Sequence, residues 1–238
     1  MQYCLQCKVP SYILRCMKVH RFYTPHNLSS LESFQTDDTE LLHQLKDVFR
    51  LSKGDKVVFF DGSGYEYLSS IEVLTKKEGE FTIESKEYKE EKEGRKIHVY
   101  ISIIKKDKLE LAIEKAVELG VDSITPVIAE RSQYKKVRVD RLEKIIKEAT
   151  EQCGRVRLPK LGGVKTFNEV MEEHPDIVVF HMEGKDIKEV SLGDDVSFLI
   201  GPEGGWSERE LALCETVALP FDTLRAETAV IAGVVLVS

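Results

Sequence analysis

The sequence predicts a two-domain α/β protein: a small β-barrel with one helix, followed by an α/β layer on a mostly parallel sheet. Three observations carry this. Across residues 19–88 short apolar runs alternate with polar residues at the period of a strand, interrupted by one helical stretch. Residues 88–95 hold no apolar side chain after Tyr88 and read as a linker. Beyond them strand-like runs alternate with helical spacing, the pattern of a sheet covered by helices. A chain of 238 residues is long enough for both domains to bury a core.

In order, residues 19–23 are a short strand, and residues 56–67 form two strands around Asp61-Gly62-Ser63-Gly64, whose glycines permit positive φ. Residues 66–74 and 81–88 supply further strands. Residues 41–51 are helical, with Leu41, Leu42, Leu45, Val48 and Phe49 on one face. In the second domain residues 97–104 form a strand, and residues 108–119 a helix stopped by Gly120. Then come a strand at 124–128, a helix over Val139–Cys153, a segment at 156–161, a helix near 169–173 and strands at 177–180 and 197–200. Helices at 207–214 and from Ala226 complete the chain.

Composition excludes several classes. With 42% hydrophobic and 32% charged residues, the chain is neither disordered, collagenous nor a disulfide scaffold. Its longest apolar run, residues 229–237, falls well short of the ~20 residues that span a bilayer, so no membrane partner is expected. Cys4 and Cys7 make half of a zinc spacing, but Cys153 and Cys214 are isolated, so no metal is expected. Lys8, Pro10 and Arg15 break any signal-peptide core. Residues 1–16 read as an extension outside the fold, with Met17 as the working start. Unpaired thiols fit a cytoplasmic location.

The net charge of −7 argues against a generic nucleic-acid binder, but its distribution does not. Residues 95–168 carry 17 Lys and Arg against 10 Asp and Glu, whereas residues 169–238 carry 4 against 15. Arg131, Lys135, Lys136, Arg138, Arg141, Lys144 and Lys147 face only Asp140 and Glu143, and Arg155 and Arg157 follow. Such a run is either a solvated helix face or a surface that contacts phosphates and releases counterions.

Dinucleotide, P-loop, nucleophile-elbow and zincin motifs are all missing, which removes dehydrogenase, NTPase, serine hydrolase and zinc protease chemistry. Two other segments stand out. A strand ending at Ile200 runs into Gly201-Pro202-Glu203-Gly204-Gly205, then Ser207 and Glu210 form a capping box. Glycines at a strand's carboxyl end let backbone approach a ligand, or simply make a tight turn. Nearer the end, Leu224-Arg225-Ala226-Glu227-Thr228 opens the last helix. Charges at that position are either a structural pair or functional.

Together, GPEGG followed by an aromatic residue and S-x-x-E, then LR-x-ETA near the C-terminal end, resemble the RsmE family. These are ribosomal RNA small-subunit methyltransferases acting on uracil N3, within the SPOUT (trefoil-knot) superfamily. Similarity extends through Arg21-Phe22-Tyr23, residues 42–51, Lys53-Gly54-Asp55, Asp61–Gly64, Lys105, Glu118–Val121, Glu130–Gln133, Glu148–Arg155 and Pro159, so it spans residues 19–238. Trp206 stands where phenylalanine is usual, Pro220 where glycine is usual, and the last helix ends at Ser238.

The resemblance implies a PUA-like RNA-binding β-barrel over 17–90 and a knotted methyltransferase domain over 95–238, acting as a homodimer on 16S rRNA or the small ribosomal subunit. S-adenosylmethionine would lie in three loops: after the strand ending at Phe180, at 201–205, and at 219–225. Its binding residues would be Met182, Ile200, Gly201, Pro202, Glu203, Gly204, Gly205, Leu219, Leu224, Arg225 and Thr228. Uracil N3 carries a proton, so transfer needs a base and a stabiliser of the developing anion. Arg225 fits the stabiliser; Glu203 or Glu227 fits the base. RNA would be held by Arg131, Lys135, Lys136, Arg138 and Arg155, with Arg21 and Arg50 on the barrel. The alternatives are a knotted methyltransferase with another target (tRNA or a ribose 2′-hydroxyl) and a non-catalytic RNA-binding protein on the same scaffold.

Overall fold

The computed structural model describes residues 19–89 and 94–238. The expectations for residues 1–16, for the Cys4 and Cys7 pair and for Met17 lie outside them, as do linker residues 90–93. The described residues form two compact units. One holds residues 19–89 together with Gly154–Arg157, a stretch the sequence reading counts with the second domain; the other holds residues 94–153 and Leu158–Ser238.

The first unit has strands β1 (Arg21–Tyr23), β2 (Ser33–Thr36), β3 (Lys56–Phe60), β4 (Tyr65–Leu74) and β5 (Gly79–Tyr88), in the order β1-β3-β4-β5-β2. β1 runs parallel to β3 and the other pairs are antiparallel. Inward positions repeat every second residue, and Phe34, Phe59 and Phe81 meet there with ring centroids 4.8 to 5.1 Å apart. The turn after β3 is closed by the Asp61 carboxylate, which accepts from the Leu28 and Ser63 amides at 2.9 and 3.0 Å.

The expected helix at 41–51 is two pieces. Helix α1 (Thr39–His43) is capped by Asp38, whose carboxylate accepts from the Glu40 and Leu41 amides. A π-helical turn, Gln44–Val48, follows, with the Phe49 amide donating to the Gln44 carbonyl at 2.9 Å. The wider turn rotates the tail of the segment away from the core that Leu41, Leu42 and Leu45 fill. Val48 and Phe49, expected inside, are therefore 58% and 38% exposed.

The second unit is a parallel sheet of β6 (Lys96–Ser102), β7 (Ser123–Ile128), β8 (Lys160–Leu161), β9 (Lys165–Thr166), β10 (Val178–Asp186), β11 (Asp195–Ile200) and β12 (Thr216–Ala218). The order is β12-β10-β11-β6-β7-β8, with β9 also on β7. Helices are α2 (Lys106–Glu118), α3 (Val139–Cys153), α4 (Phe167–Glu173), α5 (Glu208–Leu211) and α6 (Ala226–Val237).

Alternate residues on each strand feed two cores. Val99, Ile101, Phe198 and Ile200 face α2, α3 and α6 through Ile113, Ile146 and Val230. Tyr100, Leu199 and Val179 face Phe167, Val170 and Trp206. Burial on both faces accounts for the continuous apolar runs of β6 and β11.

β10 departs from expectation most. It is read from sequence as ending at Phe180, yet it resumes: Phe180 pairs with Val217, then the register shifts and Lys185 pairs with Val217. Residues 181–184 form the bulge between. Gly184 closes it, since a Cβ there would lie 2.5 Å from the Thr216 carbonyl carbon. Because β10, β11 and β12 are parallel neighbours, the segments leaving them emerge at one edge of the sheet, where open α/β sheets bind ligands.

Candidate active site

A cavity of about 570 Å³ lies at that edge, within the second unit, a size suited to a small-molecule ligand. Three segments wall it: the β10 bulge with His181 and Met182, the loop after β11, and the loop after β12 running into α6. The N-cap and first turn of α2 add Lys105 and Lys108.

The loop after β11 is fixed by its backbone and by buried side chains. Gly201 sits under the Trp206 ring, and a Cβ there would fall 3.0 Å from Cε2. The Trp206 indole donates to the Phe180 carbonyl at 3.0 Å, tying this loop to β10. Gly205 adopts φ +68, and its amide donates to the Pro202 carbonyl at 2.9 Å. Ser207 caps α5 by accepting from the Glu210 amide, while the buried Glu210 carboxylate accepts from the amides of Ser207 and Glu130, both at 2.8 Å.

The loop after β12 begins with a three-residue turn at Pro220, the Phe221 amide donating to the Leu219 carbonyl at 2.8 Å. Arg225 follows as the backbone N-cap of α6, with no side-chain capping bond. Its side chain is exposed on the cavity wall and makes no ion pair among the described residues. Glu227, in the first turn of α6, is buried and accepts from the Lys108 ammonium at 2.8 Å. Burial pushes the Glu227 carboxyl upward, but the Lys108 hydrogen bond, its own backbone amide and the Lys108 and Arg225 charges outweigh it. The net pKa lies below the usual carboxylate range.

Of the residues singled out from sequence, Met182, Ile200, Gly201, Pro202, Glu203, Gly205, Leu219, Leu224, Arg225 and Glu227 gather around this cavity. Gly204 and Thr228 do not. Gly204 faces the neighbouring segment, where a Cβ would lie 3.1 Å from the Arg131 carbonyl oxygen, and Thr228 is turned to solvent on α6. Phe180, His181, Asp222 and Lys108 line the wall without having been assigned a role from sequence. Lys108 did leave a signal. Lys105, Lys106 and Lys108 open a helix, where cations oppose the macrodipole; Asp107 and Glu110 answer the first two, which leaves Lys108 in want of an anion from elsewhere.

The basic run divides. Arg138 pairs with Asp140, Arg141 with Glu110 at 3.0 Å, and Lys144 lies 3.9 Å from Glu148. Lys135 and Lys136 are exposed and make no ion pair among the described residues, while Arg131 donates to the Gly204 carbonyl at 3.5 Å. Within the first unit, Arg21 is engaged internally. It bonds Glu66 at 2.8 Å and the Arg155 carbonyl at 3.0 Å, and lies 5.0 Å over the Phe60 ring. Arg50 is exposed, with φ +57. Among the described residues no cluster of metal-ligating side chains forms, and no helix is long and apolar enough to cross a membrane.

Residues 90–238 match the family described as RNA methyltransferase domain, and residues 37–84 the RNA methyltransferase PUA domain. A ribosomal RNA small subunit methyltransferase E from Rickettsia conorii is 29% identical over 92% of this chain and 94% of its own. The Bacillus subtilis protein of the same name is 31% identical over 80% and 84%. A crystal structure of the Neisseria gonorrhoeae enzyme bound to S-adenosyl methionine superposes with a TM-score of 0.84, at 28% identity, covering 91% of this chain and 95% of that one. A Legionella pneumophila protein in complex with the same cofactor gives 0.85 at 29% identity, covering 92% and 97%. The parallel sheet, the ligand-sized cavity at its carboxyl edge and these matches over both units converge: the chain belongs to the ribosomal RNA small subunit methyltransferase E family, a SPOUT-type α/β domain preceded by a PUA domain.

Proposed function

We propose that this protein transfers the methyl group of S-adenosylmethionine to N3 of a uridine in 16S rRNA, acting in the cytoplasm as a homodimer. The observation that carries the reading is the Arg225 guanidinium, in no ion pair among the described residues, on the wall of a cavity shaped by close-approach glycines. The cavity suits the cofactor. Phe180, Ile200, Leu219 and Leu224 offer apolar walls for an adenine, and the glycine loop offers backbone groups to its edge. Glu203, Asp222 and Lys105 add charge of both signs, a mixed lining that matches a ligand bearing ammonium, sulfonium and carboxylate.

When bound, the cofactor supplies a methyl group already activated by its sulfonium. The protein's own side chains must manage the N3 proton and the charge that follows its removal. Glu203, exposed on the cavity wall, accepts the proton. Arg225 donates to O2 or O4 as negative charge builds there. Glu227 is unsuited to be the base: an ionised carboxylate that already accepts from Lys108 binds a proton weakly. The target base turns out of its stack to present N3.

Lys135, Lys136 and Arg131 form the RNA-facing part of the basic run, with Arg50 on the barrel; Arg138 and Arg21, already paired, contribute less. A second copy would cover the exposed Met182 and Phe221 beside the cavity.

Incubation with methyl-labelled cofactor and small subunits lacking the modification, followed by nucleoside digestion, tests the assignment. Labelled 3-methyluridine is expected. A 2′-O-methyl nucleoside, label confined to tRNA, or no transfer overturns it.

A further inference from the structure

Lys108 and Glu227 lie on different helices and meet at the cavity wall, Nζ to Oε1 at 2.8 Å, with side chains 34% and 9% exposed. Each is placed with a cost. Lys108 stands in the first turn of α2, against the field of that helix, and ordering its long chain loses rotamer freedom. Glu227 is desolvated. A carboxylate so placed needs a cation, and two are within reach of its charge: Lys108, and Arg225 two residues before it. Arginine is the better partner, because its planar guanidinium can grip a carboxylate through two bonds. Yet Glu227 bonds Lys108, and Arg225 makes no ion pair among the described residues.

We infer that Lys108 is a positioning residue: by holding Glu227 it keeps that carboxylate from capturing Arg225, so the guanidinium stays available to the substrate. The part played by Arg225 in the reaction rests on the function proposed above; the exchange of ion pairs does not. Without Lys108, Glu227 turns to Arg225, and the site loses its donor while keeping its shape.

Four variants, Lys108→Arg, Lys108→Met, Glu227→Gln and the double Lys108→Met/Glu227→Gln, separate this from a structural role. A crystal structure of Lys108→Met is expected to place the Arg225 guanidinium within hydrogen-bond distance of Glu227; an Arg225 that stays apart overturns the inference, whatever the enzyme methylates. In turnover, Lys108→Met is expected to lower kcat about 10²-fold, the order seen when one donor to a developing charge is withdrawn. Calorimetry should find cofactor affinity changed by no more than about threefold. Lys108→Arg retains activity, and the double variant recovers to the level of Glu227→Gln alone, since no carboxylate remains to capture Arg225. A double variant as impaired as Lys108→Met, or a Lys108→Met whose cofactor affinity falls in step with kcat, overturns it. Absence of methyl transfer by the wild-type protein counts against the proposed function alone, because the crystal structure decides the ion-pair exchange by itself.

Discussion

The two loops that wall the cavity, one after β11 and one after β12, are held by opposite means. The first is fastened at many points without an ion pair among the described residues: a ring over Gly201, an indole bond to Phe180, a turn closed at Gly205 and a capping box at Ser207. The second leaves Phe221, Asp222 and Thr223 exposed and is anchored near its end by the ion pair of Glu227 with Lys108. The difference suggests a division of labour. A rigid, backbone-lined wall suits recognition of a flat apolar group, and on the proposed function a more open wall ending in Arg225 carries the charge that chemistry requires.

The largest effect expected from this comparison is at Arg225. Arg225→Ala should lower kcat by about 10² to 10³-fold while cofactor affinity holds. Isothermal titration beside single-turnover assays checks it; affinity lost in proportion to rate would mean that the walls do not divide the work.

A smaller effect of the opposite kind is expected at Gly201. Gly201→Ala places a methyl 3.0 Å from the Trp206 ring, inside contact distance, so the ring or the loop must shift. Cofactor affinity should fall about tenfold, roughly 1.4 kcal/mol, with the rate at saturation less affected. A variant that binds normally would show the first wall to be pliable.

The smallest is Trp206→Phe, which keeps an aromatic ring over Gly201. It leaves the Phe180 carbonyl without its indole donor, a cost of about 1 kcal/mol in unfolding stability. Chemical denaturation measures it, and an unchanged midpoint would mean that the carbonyl finds another partner.

Much of this was legible in the sequence, and the rest was hidden for identifiable reasons. Helix α3 can be read to its ends because Leu142, Ile145, Ile146 and Ala149 repeat at helical spacing against a charged face. The β11 loop announces itself by its glycines. β12, three residues long, carries too few positions for a period, and the β10 bulge depends on a register set by its neighbour. The π-helical turn exposes Val48 and Phe49 because apolar spacing alone cannot distinguish a turn of i to i+4 bonds from one of i to i+5. Gly204 and Thr228, which the resemblance implies for the site, lie off the cavity wall because contiguous residues point different ways. The basic run looked uniform in sequence; only packing reveals that Arg141 is matched by Glu110 from another helix.

Glu210 ties together two segments distant in the chain. One carboxylate receives amides from Ser207 and Glu130, so the β11 loop and the start of the basic segment are joined through a single buried group. On the proposed function, ordering them separately at each binding event would lose configurational freedom twice, once for cofactor and once for RNA. Joined at folding, the two surfaces share one loss, incurred before either ligand arrives.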